Sequence, residues 1–359
     1  MSAIGKIIII PFAALVRLFY SLTGSYGWSV VLFTLAVKLI LLPFQMKSKK
    51  SMMRMGRLNP KLKEIQTKYA NNKEKQNEEV ARLYQEEGVN PMSGCLWSLL
   101  PFPILIALYS IIRKPLSSFM MLGSETVAAI TAAVTATGYE FTSASVYQEI
   151  EVAKYVHQHF ADFSQYASEG LFSLDYQFLG LDLSAIPSNF FSQITTGGWP
   201  VIGLMLIPIL AGGTSLLMSL VGQAGTPDAG NAGANRSLML MMPLLSVYIA
   251  FTMPAALGIY WIANSVFSIL QDLVLNKHYT KILEKEEQER EVKRAAARKF
   301  RQEEARRQAL EQKEEPKKEA KKKKEEKEPK GEKNSTTENG RVGDRPYARG
   351  RAFKEEHYE

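Results

Sequence analysis

The chain has 359 residues, with 44 Lys+Arg against 36 Asp+Glu, a net charge of +8 and 46% hydrophobic residues. These averages hide a segregation: residues 277–359 hold 26 of the 44 cations and 20 of the 36 acids, while residues 1–276 contain long runs with little or no charge. That excludes an ordinary soluble globule, which spreads charge along every amphipathic element, and predicts an all-α polytopic membrane protein.

The beginning, GKIIIIPFAALVRLFYSLTG (residues 5–24), is hydrophobic but interrupted by Lys6, Pro11 and Arg17. No small-residue cleavage site of a secretory signal is evident, and no cysteine precedes Cys95 for lipid modification. If this segment spanned, the next run would point outward and place eleven basic residues outside. Residues 1–24 are therefore expected to form an amphipathic helix in the outer interface, with Arg17 at the headgroups. A sixth span is the alternative.

Five later runs are candidates to cross hydrocarbon, which needs about 20 apolar residues. They are Trp28–Phe44, Cys95–Ile112, Trp199–Leu220, Leu238–Thr252 and Ala255–Leu275. The fourth is short, and the fifth follows after only Met253 and Pro254, so this pair reads as a tight hairpin. Cys95, the sole cysteine, rules out an internal disulfide and reads as a packing residue.

Orientation follows the positive charge. Residues 45–94 carry eleven Lys+Arg, whereas residues 115–198 carry only Lys154 against eight acids. The first segment and the basic tail are therefore expected in the cytoplasm and residues 115–198 outside, with the N-terminus out.

The cytoplasmic segment reads as a helical hairpin. Asn59-Pro60 starts a helix carrying Leu62, Ile65 and Tyr69; Asn71-Asn72 breaks it; a second helix carries Val80, Leu83 and Tyr84 and stops at Gly88. Arg54, Arg57, Lys61, Lys63 and Lys68 make it a candidate docking arm for acidic headgroups or an incoming chain, or else a solvated spacer whose charge only sets topology. Outside, SVYQEIEVAKYVHQHFADF predicts an amphipathic helix and FLGLDLSAIP a return toward the membrane. His157 and His159, two apart, point different ways and read as solvated surface. In the tail, residues 281–313 predict a charged helix extending the last span, and the low-complexity sequence after Pro316 predicts disorder. Its basic excess suits anionic lipid or ribosomal RNA.

One lysine stands out. Lys38 lies inside LFTLAVKLILLPF (residues 32–44), where a charge at mid-bilayer costs about 2.5–3.5 kcal/mol. It sits six residues before Phe44, about 9 Å from that end, so its stem alone covers much of the distance to water. Thr34, Lys38 and Gln45 share one helical face, and the last span has its own polar row of Tyr260, Asn264, Ser268 and Gln271, with Trp261 alongside. The third span offers Thr214, Ser215 and Ser219. Polar faces on several spans are expected to converge on a wet interior, where a cation without an acidic partner recruits an anion from elsewhere.

These features, in this order, resemble the YidC family of membrane protein insertases. The residues that carry the resemblance are SYGWSVVLFTLAVKLILLPFQMKSKKSMMRMGRLNPKLKEIQTKY, LYQEEGVNPMSGCL, FLGLDLS and MPAALGIYWIANSVFSILQ, covering roughly residues 10–280. The resemblance implies a five-helix core enclosing a hydrophilic groove open to the cytoplasm and lipid but closed outside. Lys38 occupies a position that is usually arginine in that family, and Thr34 and Trp261 match positions that line the groove. Two departures stand out. Lysine lacks the guanidinium fork, and Leu100-Pro101-Phe102-Pro103 replaces a turn that usually holds a glutamine and one proline, so no role transfers there.

The reading is thus a non-enzymatic insertase and chaperone, working without cofactor, metal or nucleotide, since GNAGANRS (residues 230–237) lacks the Gly-Lys-Ser/Thr of a phosphate loop. Its expected setting is a bacterial cytoplasmic membrane. Its expected partners are nascent membrane proteins, the lipid bilayer, a Sec translocon, and the ribosome through the basic tail, with a monomer as the working unit. A small-molecule or ion transporter, which would show internal repeats, and a structural partner of a translocon are the alternatives.

Overall fold

The computed structural model describes residues 3–89, 101–141, 145–223 and 232–325. The chain divides into two compact units, residues 1–288 and 289–359.

In the first unit, α1 (Ala3–Thr23) and α2 (Tyr26–Arg57) are joined by a single left-handed glycine, Gly24, at φ +65°. Its amide donates to the Tyr20 carbonyl at 2.8 Å, ending α1 and turning the chain within two residues. Ile9, Ala13 and Val16 recur at helical spacing and are buried against α2 and the second apolar helix. Phe12 meets Phe33 edge-on at 5.6 Å, so α1 still lies beside α2 eleven residues before its end. Arg17, expected at the headgroups, is half-buried: its Nη1 donates to the Met120 carbonyl at 3.4 Å, and the guanidinium lies 5.9 Å from the Phe172 ring centre. The reason is packing. On the face of α1 that carries Arg17, Met120 supplies a carbonyl and Phe172 an aromatic ring.

At 32 residues α2 is about 48 Å long, well beyond a hydrocarbon core of about 30 Å. Its last turns continue past the apolar run. The hairpin follows as α3 (Asn59–Lys68) and α4 (Lys73–Glu87), as the capping residues predict. Asn72 accepts the Lys75 amide at 3.0 Å at the start of α4, and Gly88 closes it at φ +63°.

The second apolar helix, α5 (Pro101–Arg113), is followed by a π turn at Pro115–Phe119. Cys95 and the start of that predicted run lie outside the described residues. The chain then forms α6 (Ser124–Ala136), α7 (Gln148–Gln158) and a 3-10 stretch at Phe160–Glu169. A small hairpin follows, β1 (Gln177–Phe178) against β2 (Leu181–Asp182), turned by Leu179 and Gly180 at positive φ. The hairpin was not predicted, because two-residue strands carry no periodicity to read. His157 and His159 are both exposed: His157 Nδ1 lies 2.7 Å from Ser173 Oγ, and His159 stacks on Tyr155.

Of the remaining helices, α8 (Gly198–Gln223) packs extensively on α9 (Ala232–Thr252), and α10 (Ala255–Glu325) follows. The first amides of α10 are not orphaned: Ala255 N–H donates to the Ala185 carbonyl and Ala256 N–H to that of Leu183, each at 2.9 Å. Small residues let these helices approach closely. A Cβ on Gly258 would fall 2.3 Å from Ile207 Cγ2. The fourth helix is longer than its apolar run: α9 has 21 residues and starts six before Leu238. Backbone hydrogen bonding carries the helix through Ala232–Ser237, where hydropathy alone gives no signal.

Among the described residues three helices are long and apolar enough to cross a membrane, within Tyr26–Arg57, Gly198–Gly222 and Ala255–Gln308. The helices at Ile8–Thr23, Pro103–Arg113 and Pro243–Thr252 are apolar but shorter.

The second unit is a charged helical stretch with exposed side chains over residues 289–308. Its helix runs through Pro316 to Glu325, which corrects the expected disorder from Pro316 onward as far as that residue. Lys, Glu and Ala dominate residues 317–325, and all three favour helix. Residues 326–359 lie outside the described residues.

Candidate functional site

The polar side chains predicted to converge come from α2, α8 and α10. Lys38 is half-buried, and its Nζ donates to Ser268 Oγ at 2.6 Å. Ser268 Oγ in turn donates to the Asn264 carbonyl one turn earlier, at 2.7 Å, leaving its lone pairs for the ammonium. Residues 38 and 268 are therefore the point where the two predicted polar rows meet. Among the described residues no carboxylate lies within ion-pairing distance of Lys38.

The other predicted groove residues take different positions. Thr34 is only 2% exposed, and its hydroxyl donates to the Val30 carbonyl, so it is occupied by its own helix. Tyr260 is also buried, in the same apolar cluster as Leu257, Leu204 and Ile207. Trp261, 6.5 Å from the Tyr260 ring, Asn264 and Gln45 are half-buried. Ser215 Oγ lies 3.4 Å from Ser265 Oγ, a buried serine pair between α8 and α10. Ser265 was missed because it neighbours the Asn264 row without sharing its spacing of four.

Below this point α10 continues its row with Asp272 and Asn276, again four apart. Lys49, eleven residues after Lys38 on α2, pairs with Asp272 at 3.0 Å and donates to the Gly222 carbonyl at 3.0 Å. Asn276 Nδ2 donates to the Val221 carbonyl at 3.1 Å. Two of the last carbonyls of α8 are thus satisfied by side chains of α2 and α10. The only signal for this in the sequence was the position of Asp272 near the end of an apolar run.

Farther along, the extensions of α2 and α10 lie side by side. Met53, Leu275, Tyr279 and Leu283 form a small buried cluster. Lys50 and Arg54 both pair with Glu286, and Arg57 pairs with Glu287 and donates to the Thr280 carbonyl. The donors from Lys50 and Arg54 hold the Glu286 carboxyl below its usual range. Arg54 and Arg57, read as contacts for a docking arm, are therefore engaged with acids of the same chain that only the side-by-side course of the two helices brings near. Lys61 pairs with Glu87 at 2.7 Å across the hairpin, while Lys63 and Lys68 are exposed.

Residues 18–282 match the family model described as 60Kd inner membrane protein. A curated relative from Fusobacterium nucleatum subsp. nucleatum, called Membrane protein insertase YidC, is 27% identical over 71% of this chain and 87% of its own length. One of the same name from Campylobacter jejuni subsp. jejuni is 26% identical over 76% of this chain, and one from Nitratidesulfovibrio vulgaris is 28% identical over 73%. The chain spans only 38% and 37% of those two relatives. A crystal structure of an active YidC insertase with its first transmembrane domain resolved is similar at a TM-score of 0.41 and 20% identity, over 74% of this chain and 45% of that one.

Proposed function

We propose, from the premise that the chain belongs to the 60Kd inner membrane protein family, that it is a membrane protein insertase: it moves nascent integral membrane proteins into the bilayer and helps them fold. The similarity to proteins called membrane protein insertase supports this over a transporter. The single observation that carries the site assignment is Lys38 on Ser268, a cation within an apolar helix whose neighbour is a hydroxyl and not an acid.

The proposed core has five spans, built on α2, the run ending in α5, α8, α9 and α10, with the N-terminus outside and the C-terminus in the cytoplasm of a bacterial cell. In this scheme a nascent chain arrives on the cytoplasmic side, met by the exposed lysines of the hairpin and by the basic tail. Its acidic outer end enters a hydrated groove beside Lys38, Ser268, Asn264, Trp261 and Gln45. Thr34 and Tyr260 act from behind, by packing the wall. The ammonium exchanges a neutral hydroxyl partner for a carboxylate, which is the stronger hydrogen bond. The substrate's apolar segment then leaves sideways into lipid, driven by burial worth about 25 cal/mol per Å² of apolar area. That gradient needs no nucleotide, and no catalytic residue is invoked. A Sec channel and the ribosome are proposed partners, the latter through the tail's positive charge.

The test is reconstitution of the full chain alone in lipid vesicles, with single-spanning substrates bearing acidic or neutral outer tails. Insertion without other factors is expected. Lys38→Glu is expected to reduce insertion of acidic tails about tenfold and Lys38→Arg to preserve it. Equal insertion by the Glu variant and wild type would refute the anion-recruiting role.

A further inference from the structure

A second site lies at the other end of the core, in a cavity of about 420 Å³ lined by Arg113, Lys114, Val127, Thr131, Gln148 and Glu149. It opens where α5 ends and is bounded by α6 and the start of α7. Two cations stand side by side in sequence. The Arg113 guanidinium lies 5.4 Å from the Tyr109 ring centre, and its Nε is buried without a hydrogen-bond partner. Among the described residues, neither Arg113 nor Lys114 has an ion pair.

The adjacent carboxylate is engaged elsewhere. Glu149 Oε2 accepts the Ser117 amide at 3.0 Å, and Oε1 accepts the Ser117 hydroxyl at 2.8 Å. Ser117 lies in the π turn, so the carboxylate is held at the cavity wall by backbone and hydroxyl together. Two donors leave about two of its four lone-pair sites open. The cavity thus offers two cations without acidic partners, a fixed carboxylate with acceptor capacity to spare, and apolar walls from Val127 and Val146.

We propose that this cavity binds a phosphoethanolamine group, its phosphate on Arg113 and Lys114 and its primary ammonium on Glu149. A simple anion satisfies the cations but faces the carboxylate; a simple cation has the opposite conflict. A group carrying both charges meets all three side chains, and charge-assisted hydrogen bonds make each contact strong. The same chemistry comes from a phospholipid headgroup or from a soluble phosphoethanolamine compound. The site is independent of Lys38 and stands whether or not the insertase assignment does.

The experiment is native mass spectrometry of the full-length protein released from detergent with equal phosphatidylethanolamine and phosphatidylglycerol. Wild type is expected to retain the ethanolamine lipid about tenfold over the glycerol lipid. The Arg113→Gln/Lys114→Gln double variant should lose both lipids, and Glu149→Gln should bring the two to parity. Val127→Trp, which fills the cavity without touching a charge, should abolish retention, and thermal melting of each variant separates lost binding from lost folding. Glycerophosphoethanolamine competing as well as the lipid assigns the site to a soluble compound, and failure to compete assigns it to the headgroup. Equal retention of the two lipids by wild type, or undiminished selectivity in the folded double or Val127→Trp variant, overturns the proposal.

Discussion

Lys49 and Asp272 meet at 3.0 Å between α2 and α10, with side chains 9% and 21% exposed, and Lys49 also holds the last turn of α8 through Gly222. Removing one partner strands the other charge. Asp272→Ala is expected to destabilise the folded protein by about 3 kcal/mol, and Lys49→Met/Asp272→Leu by clearly less, because no buried charge is left unpaired. Thermal melting in detergent checks both; a double variant worse than either single one contradicts the account.

The ion pairs between α2 and α10 predict a pH dependence. Glu286 titrates below its usual value because Lys50 and Arg54 donate to it. A depressed folded pKa contributes stability above the unfolded value of 4.5, which is lost as pH falls through the folded value. The difference in melting temperature between wild type and Glu286→Gln should be present at pH 7 and shrink below 4.5 toward zero. Since the pair is partly exposed, the difference should be small and reduced by salt.

The contact of α8 with α10 leaves no room at Gly258, where a Cβ would fall 2.3 Å from Ile207 Cγ2. Gly258→Ala should cost about 1–3 kcal/mol through overpacking. Ile207→Ala alone opens a void, yet combined with Gly258→Ala it should recover part of the loss. Additive penalties in that double-mutant cycle would show that the two positions do not share one space.

Ser268 gives a finer test of the proposed groove. Ser268→Ala removes the partner of Lys38 and leaves the cation in place. On the proposed mechanism, insertion of substrates with acidic tails survives this change, with less than a threefold effect, whereas Lys38→Met loses about tenfold. Equal losses would mean that the hydrogen bond, and not the charge, is what matters.

Much of this was legible in the chain. The hairpin's start at Asn59, its cap at Asn72 and its stop at Gly88 rest on interactions among residues three or four apart, and the apolar runs of α2, α8 and α10 show in hydropathy alone. Lys38 stood out because charge inside such a run is rare, and its meeting with Ser268 joins two rows whose spacing was already visible.

What the order of residues determined by itself was what neighbours within a turn or two govern: where the apolar helices run, where the hairpin caps lie, and where a charge is out of place. Only the tertiary structure decided which partner each charge takes, because those partners are 103 residues away for Arg17, 230 for Lys38 and 232 for Arg54. Periodicity assigns a side chain to a face of its own helix, but what stands opposite that face is set by how the helices pack. That is why Arg17 meets Met120 and Phe172, and why Arg54 and Arg57, read as contacts of a docking arm, are matched to carboxylates of α10.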